Sequence, residues 1–114
     1  NWLGRRSEDE LIAAYQHTDG LLFPSCAEGF GLPVVETLAA GSWAFVADMP
    51  AHNMHVSCEN RLDPNKPQEW ADAILERFNS NQDCTDVALE RAQRYSDELF
   101  CKGISEAWSS MLNH

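Results

Sequence analysis

Apolar residues in the first part of the chain cluster in short runs that are closed by turn-forming residues. The run Leu21-Leu22-Phe23, ended by Pro24, predicts a short strand buried on both faces, as in a parallel sheet. Residues 43–47 predict a second strand, and Arg61-Leu62 predicts a brief further one. Trp2-Leu3 is the end of another apolar run at the start of the chain. Together these runs predict a sheet of three or four strands.

Between and after these runs, apolar residues recur at helical spacing. Ser7 and Glu10 form a capping-box pattern, which predicts a helix that presents Leu11, Ile12 and Tyr15 on one face. Pro33 is expected as the first residue of the next helix, and Gly41 as the residue just past its end. Residues 48–66 contain several turn formers and predict a loop around the short Arg61-Leu62 strand. Three later helices are predicted on the apolar sets Trp70, Ile74 and Phe78; Val87, Leu89 and Tyr95; and Phe100, Ile104, Trp108 and Met111.

The alternation of strands and helices predicts an α/β fold. We expect a partial Rossmann-like three-layer domain with a short parallel sheet and a helical C-terminus. A length of 114 residues is that of a single domain. The start on the apolar Trp2-Leu3 leads us to expect that the chain begins inside a domain.

The chain is strongly acidic, with 8 Lys and Arg against 18 Asp and Glu and a formal net charge of −10. Such a field repels phosphate, so we expect no nucleic-acid partner. The apolar runs are far shorter than the ~20 residues that a membrane span requires. The four cysteines form no C-x-x-C pair and no secretory leader is evident, which favours a reducing, cytoplasmic setting.

Residues 24–36 carry the strongest indication of function. They lie between a predicted strand and a predicted helix, which is where ligands bind in open α/β sheets. Gly29 and Gly31 permit positive φ or a close approach of the backbone to a ligand. The amides near Gly31 and Leu32 precede the helix, and the helix dipole adds positive partial charge there. This arrangement favours an anion, most naturally a phosphate, without any Lys or Arg.

Two carboxylates bracket this segment. Glu28 lies before the helix, and Glu36 lies about one turn inside it. Ionised carboxylates only accept hydrogen bonds, so each suits a pair of hydroxyl groups, as on a sugar ring or a ribose. A ligand with a central diphosphate and polyols at both ends fits, and we predict a nucleotide-sugar. The alternative for either glutamate alone is a solvated surface acid.

The run P-S-x-x-E-G-F-G-L-P-V-V-E-x-L-A-A-G, residues 24–41, resembles the signature of family 4 of the retaining glycosyltransferases. These enzymes have the GT-B fold of two facing Rossmann-like domains. Leu3-Gly4-Arg5, the strand at 21–23 and Asp63-Pro64 extend the resemblance over nearly all of the chain. It corresponds to the latter part of the family's C-terminal, donor-binding domain.

The resemblance implies a role for individual residues. Glu28 would be the catalytic residue, in contact with the transferred sugar near the reacting carbon, and Glu36 would accept hydrogen bonds from the ribose hydroxyls. The donor diphosphate would be held by the backbone amides of Gly29, Phe30, Gly31 and Leu32. The nucleobase would be flanked by Gly4, Arg5 and Arg6. The resemblance also implies retention of the anomeric configuration, and neither a metal nor another cofactor.

The sequence also departs from the family pattern. It contains neither the upstream basic pair that neutralises the diphosphate nor the N-terminal, acceptor-binding domain. Trp43 stands where the family often has Pro, and His55 where an acidic residue is common. We therefore expect the donor-binding part of a retaining glycosyltransferase, inactive as an isolated chain. The alternative is a truncated, non-catalytic module that self-associates or binds nucleotide without turnover.

A few other residues have two interpretations each. His52, His55 and Cys58 lie at three-residue intervals, which could indicate a metal site. No fourth ligand is evident, so a surface loop is favoured. The pair Arg5-Arg6 is favoured as an exposed pair at a helix entrance over a phosphate contact. Cys26 is expected to be a small buried residue.

The last predicted helix carries an apolar stripe. Such a stripe usually belongs to the core. If this helix packs away from its own domain, Trp108 and Met111 would form an exposed apolar patch. The patch would favour a homodimer through the C-terminal helix.

Overall fold

The computed structural model describes residues 1–112, apart from the side chains of Phe100, Ala107, Trp108, Met111 and Leu112. The elements are α1 Glu8–His17, β1 Gly20–Phe23, α2 Leu32–Ala39, β2 Trp43–Ala47, α3 Pro50–Asn53, β3 Arg61–Leu62, α4 Pro67–Asn79, α5 Thr85–Gln93 and α6 Asp97–Leu112. A 3-10 turn at Cys58–Asn60 precedes β3. The predicted α/β fold is confirmed.

The three strands form one parallel sheet in the order β1-β2-β3. Leu22 of β1 pairs with Phe45 of β2 and remains 46% exposed, because β1 is an edge strand. The prediction that this strand is buried on both faces is therefore wrong. Trp2 and Leu3 are exposed and belong to no strand, so residues 1–112 contain three strands and not four.

The central strand β2 separates two apolar layers, because its side chains point alternately to opposite faces of the sheet. One layer, formed with α2 and α5, contains Val34, Leu38, Ala44, Val46, Val56 and Ala88. The other layer, formed with α4, contains Phe45, Ala47 and Trp70. Helices thus cover both faces of the sheet, which confirms the three-layer arrangement.

The ends of the first two helices follow the sequence signals closely. The Ser7 hydroxyl accepts a hydrogen bond from the Glu10 amide, and the Glu10 carboxylate accepts one from the Ser7 amide, so the predicted capping box is present. Helix α2 begins at Leu32, which makes Pro33 its second residue and not its first. Gly41 lies just past the end of α2 with φ of +80°.

The predicted apolar face of α5 is wrong. Ala88 is the buried residue of this helix, whereas Val87 and Leu89 are 52% and 38% exposed. Tyr95 lies beyond the last residue of α5, Gln93. The sheet-facing position is therefore occupied by the smallest of the apolar candidates, which allows α5 to lie close to α2.

Residues 48–66 are more ordered than the predicted loop. They contain α3 and the 3-10 turn as well as the predicted strand β3. The Arg61 guanidinium donates to the carbonyls of Asn53, at 2.6 Å, and Val56, at 2.9 Å. The Asn60 side-chain amide donates to the carbonyl of Ala44 at 2.9 Å. The arginine bonds hold the segment together, and the asparagine bond ties it to β2.

Trp43, at the start of β2, lies across the first residue of β1. A Cβ atom built on Gly20 would overlap the indole ring. The same ring packs against Phe45, with centroids 5.0 Å apart, and the Arg77 guanidinium lies 5.8 Å from its centroid. The indole thus fills the space that a side chain at position 20 would need.

Replacing Gly41 by Ala is expected to lower the free energy of unfolding by about 1–2 kcal/mol, because an L side chain is strained at positive φ. The added Cβ would also lie 3.1 Å from Cγ2 of Thr85. Urea unfolding followed by circular dichroism measures the loss. Gly103→Ala in α6 is the matched control, since its Cβ meets nothing within 4 Å. Equal loss of stability in both variants would contradict the conclusion that Gly41 is required for its positive φ.

Candidate functional site

The candidate site lies at the edge of the sheet where the parallel strands β1 and β2 end. Residues 24–31 leave β1 and lead into α2, and residues 48–49 leave β2 and lead into α3. Because the two strands are parallel and adjacent, both connections emerge at the same edge. The structure therefore brings the β1–α2 loop next to the segment that contains His52 and His55.

The start of α2 presents unpaired backbone donors. Among the residues described, no acceptor receives a hydrogen bond from the amides of Gly29, Phe30, Gly31 or Leu32. Gly31 precedes the helix with φ of +84° and ψ of 47°, a left-handed conformation that favours glycine, and no side chain caps the helix. Free N–H groups and the positive end of the helix dipole therefore coincide.

Two buried histidines support this loop from the side of α3. His52 is fully buried and His55 is 1% exposed. The Nε2 atom of His55 is hydrogen-bonded to the carbonyl of Phe30, and the two rings pack edge to face with centroids 4.8 Å apart. A Cβ on Gly31 would lie 3.1 Å from Cδ2 of His52. The loop is thus packed tightly against both imidazoles.

The favoured interpretation of this histidine segment as a surface loop is wrong for both histidines. Cys58, by contrast, is exposed. Within residues 1–112 no group of three or more His, Cys, Asp or Glu side chains is placed to hold a metal ion. Both imidazoles instead lie next to Gly31, whose Cβ position is 3.1 Å from Cδ2 of His52 and 3.8 Å from Cδ2 of His55.

His52 has one hydrogen-bonded and one unpartnered nitrogen. Its Nδ1 lies 3.1 Å from the carbonyl of Ala47, which can only accept, so Nδ1 carries the proton. The Nε2 lone pair is then left without a partner in the described part of the chain. It lies 3.6 Å from the Cβ position of Gly31, beneath the loop.

Glu28 lies on the exposed part of the loop. The Ser25 hydroxyl donates a 2.8 Å hydrogen bond to its Oε1 atom. Cys26, between these residues, is exposed and its thiol donates to the carbonyl of Pro24, so its predicted burial is wrong. The carboxylate of Glu28 is therefore oriented by a neighbouring hydroxyl, and its second oxygen has no partner among the described residues.

Glu36 lies on α2 and faces α1. The Tyr15 hydroxyl donates a 3.0 Å hydrogen bond to its Oε2 atom. Burial raises the pKa of Tyr15 to about 12, with further contributions from the hydrogen bond to Glu36 and from the negative charge of that carboxylate. Tyr15 and Glu36 line a cavity of about 310 Å³ between α1 and α2, together with Leu11, Ile12, Ala39 and Ala40. Glu28 does not line this cavity.

The residues before α1 are exposed. Gly4 has φ of +67°, and the Arg6 guanidinium lies 3.4 Å from the Glu10 carboxylate. Arg5 and Arg6 thus form the exposed pair at a helix entrance that the sequence favoured. Surface pairs of this kind contribute little to stability, so both side chains remain adaptable.

The predicted apolar stripe of the last helix falls partly outside the described residues. This concerns the side chains of Phe100, Trp108 and Met111. Ile104, on the same helix, is 57% exposed. A homodimer through α6 therefore stays a prediction. None of the helices in residues 1–112 has the length and apolar character needed to cross a bilayer.

The residues that support the site from beneath were not predicted from the sequence. Tyr95 is hydrogen-bonded to His55 from just beyond α5, at 2.6 Å between its hydroxyl and Nδ1. A usable signal for His52 was Pro50, which opens a short helix that contains His52, whereas His55 lies just beyond that helix. Tyr15 was assigned to an apolar face, although its hydroxyl is what contacts Glu36.

The sequence matches a known protein family. Residues 1–95 match the sequence profile of the family described as glycosyl transferases group 1. The match covers more than half of the chain, and the chain therefore belongs to this family.

Several curated proteins are similar in sequence. The D-inositol 3-phosphate glycosyltransferase of Corynebacterium urealyticum is 30% identical over 123 residues, which cover 96% of this chain and 27% of that protein. The O-antigen chain mannosyltransferase RfbU of Salmonella typhimurium is 32% identical over 84 residues, covering 65% of this chain and 24% of that protein. The chain thus spans about a quarter of the length of these relatives.

The contact between Tyr15 and Glu36 predicts a specific alkaline titration. Glu36→Gln keeps a hydrogen-bond acceptor but removes the charge, so the pKa of Tyr15 should fall from about 12 toward its ordinary value of 10.0. Burial should hold it above that value. Phenolate absorbance in a Tyr95→Phe background measures Tyr15 alone, and Tyr95 in a Tyr15→Phe background is the control.

Because the pKa of Tyr15 is raised by folding, the free energy of unfolding depends on pH in a definite direction. The folded state holds the phenol proton more tightly than the unfolded state does. The contribution of Tyr15 to the free energy of unfolding is therefore complete below about pH 10 and is lost as the pH rises through about 12. An unchanged Tyr15 titration in Glu36→Gln would contradict the contact.

Proposed function

We propose that this chain is the donor-binding part of a retaining glycosyltransferase of family 4, with the GT-B fold, and that it binds a nucleotide-sugar. Residues 1–114 correspond in this proposal to a portion of the C-terminal, nucleotide-sugar-binding domain. The observation that supports it most directly is the set of unpaired amides at the start of α2. Membership of the glycosyl transferases group 1 family gives that site its chemical context.

The diphosphate of the donor is held by the amides of Gly29, Phe30, Gly31 and Leu32. Their N–H groups need acceptors, and the start of α2 supplies positive partial charge. This local field acts against the formal net charge of −10 that the chain carries as a whole. Backbone donors remain effective in such an acidic protein, because their interaction with an anion decays over a short range and needs no mobile side chain.

The ribose of the donor is held by Glu36. Tyr15 occupies its Oε2 atom and so fixes the plane of the carboxylate. The Oε1 atom has no partner among the described residues and is left to accept from ribose hydroxyls. Glu36 also lines a cavity of about 310 Å³, which gives the sugar of the nucleotide a place to enter. The nucleobase is flanked by residues 4–6.

Glu28 is the residue proposed to contact the transferred sugar near the reacting carbon. Its carboxylate is exposed and is held in place by the Ser25 hydroxyl at 2.8 Å. Transfer with retention leaves charge on the departing diphosphate, and the loop amides stabilise that charge. We propose no metal ion and no other cofactor in this step.

Turnover needs more than these residues. In the proposal, a basic pair upstream neutralises the diphosphate, and an acceptor-binding domain completes the active site. The 114-residue chain covers about a quarter of its relatives. We therefore propose that the chain by itself binds the donor without transferring the sugar.

Titration of the ¹⁵N-labelled chain with UDP, GDP and ADP and their sugars tests the proposal. Amide shifts are expected at residues 29–32 and around Glu36, and they should persist in the presence of a chelator of divalent cations. The matching nucleosides without phosphate should give weaker shifts, because the amides would lack an anion. Absence of any shift, together with a compact dimer by size exclusion, would support the alternative of a non-catalytic, self-associating module.

Glu36→Ala tests the ribose contact. Loss of hydrogen bonds to a charged acceptor is expected to weaken nucleotide binding by roughly tenfold or more. Glu90→Ala is the matched control, since Glu90 is an exposed acid on α5 and its removal changes the net charge equally. Isothermal titration calorimetry measures the affinity of both variants for the nucleotide that binds the wild-type chain most tightly. Equal affinities for the two variants would count against the assignment of Glu36.

A further inference from the structure

We propose that His55 is a positioning residue: it holds the carbonyl of Phe30 inward and thereby turns the N–H of Gly31 outward, toward the donor diphosphate. The inference rests on the proposed function, because it takes a diphosphate to be the anion that the outward-facing N–H of Gly31 binds. The buried imidazole itself touches neither donor nor acceptor in this proposal. It acts through the peptide group between Phe30 and Gly31.

The geometry of one peptide group carries this step. The Phe30–Gly31 peptide is trans, so its carbonyl and its N–H point to opposite sides. The carbonyl is bonded to Nε2 of His55, which is 1% exposed and lies beneath the loop. The N–H of Gly31 therefore points away from the buried histidines. It has no acceptor among the described residues.

Tyr95 fixes the proton of His55 on the nitrogen that this geometry requires. A carbonyl can only accept, so the bond to Phe30 favours a proton on Nε2, and in the neutral imidazole Nδ1 then accepts. The Tyr95 hydroxyl lies 2.6 Å from Nδ1 and is the matching donor, since the other acceptor within its reach, the carbonyl of Met54, lies farther away at 3.5 Å. Burial raises the pKa of Tyr95, which keeps the hydroxyl protonated. The ring of Tyr95 also packs edge to face against Phe30, with centroids 5.5 Å apart.

Gly31 and His52 restrict the loop to this orientation. Gly31 has φ of +84°, and its Cβ position lies 3.1 Å from Cδ2 of His52. The imidazole of His52 therefore blocks a movement of Gly31 toward the sheet. With the carbonyl of Phe30 held by His55, the peptide group is constrained on both sides before any ligand arrives.

The first experiment needs no ligand. Imidazole ¹⁵N shifts of the wild-type chain report which nitrogen of His55 carries the proton, and Nε2 protonation is expected. In Tyr95→Phe the donor to Nδ1 is lost, so a mixture of the two tautomers and a shifted Gly31 amide resonance are expected. A wild-type His55 protonated on Nδ1 alone would overturn the inference.

The second experiment separates positioning from packing. In His55→Gln the side-chain amide can still donate to the carbonyl of Phe30, whereas in His55→Leu it cannot. Binding of UDP, GDP or ADP is expected to weaken roughly tenfold in His55→Leu and to recover in His55→Gln, because one hydrogen bond to a charged group is at stake. Val56→Ala is the control, since Val56 is a buried core residue that leaves the Phe30 carbonyl bonded.

The outcomes distinguish this inference from the proposed function. If the wild-type chain binds none of the nucleotides, the proposed function fails for this chain, while the tautomer and the Gly31 amide still test the role of His55. If His55→Leu binds nucleotide as tightly as the wild type, the positioning role is overturned. An equal loss of affinity in His55→Leu, His55→Gln and Val56→Ala would show that general packing is responsible, and would overturn it as well.

Discussion

The burial of β2 between two helical layers is the constraint on which the candidate site depends. Four of its five residues are buried, with Ala44 and Val46 against α2 and α5, and Phe45 and Ala47 against α4. The strand cannot rotate about its own axis without exposing apolar side chains to water. The end of β2 therefore fixes the start of α3, and the histidines of that segment are held under the β1–α2 loop.

The electrostatic character of the site is set locally. The chain carries a large negative charge, yet the start of α2 presents amides rather than carboxylates. The two nearby acids are each hydrogen-bonded to a hydroxyl, Glu28 to Ser25 and Glu36 to Tyr15. Hydroxyl donors hold these carboxylates without neutralising them. The site thus combines fixed donors with fixed acceptors within residues 28–36, which span the end of the β1–α2 loop and the first part of α2.

The sequence was sufficient for the fold class and for the strand, cap and glycine signals, because these depend on neighbouring residues. Ser7 and Glu10 form their capping box within four positions, and Gly41 marks the end of α2 through its own backbone. The burial of Leu22 was mispredicted, because edge and centre strands carry the same apolar run. Spacing alone could not show which neighbours a strand would have.

The histidines illustrate the same limit at the candidate site. His52 and His55 have polar side chains in a segment rich in turn formers, which predicts exposure. Their burial depends on partners that are distant in sequence, namely the carbonyl of Phe30 and the hydroxyl of Tyr95. A single sequence does not reveal such pairings. Anion binding by the loop amides and hydroxyl binding by Glu28 and Glu36 were inferred from the residues themselves. Their assignment to individual parts of the donor came from the family resemblance, and all of these roles remain proposals.

The contact between Trp43 and Gly20 joins two residues that are far apart in the sequence. The indole occupies the volume of a side chain at position 20, so that position admits only hydrogen while Trp43 is present. The two positions are therefore expected to vary together among related sequences, with a larger residue at 20 accompanied by a smaller one at 43. Substitution at these two positions would then occur in pairs, with Trp43 replaced by a smaller residue before Gly20 is replaced by a larger one.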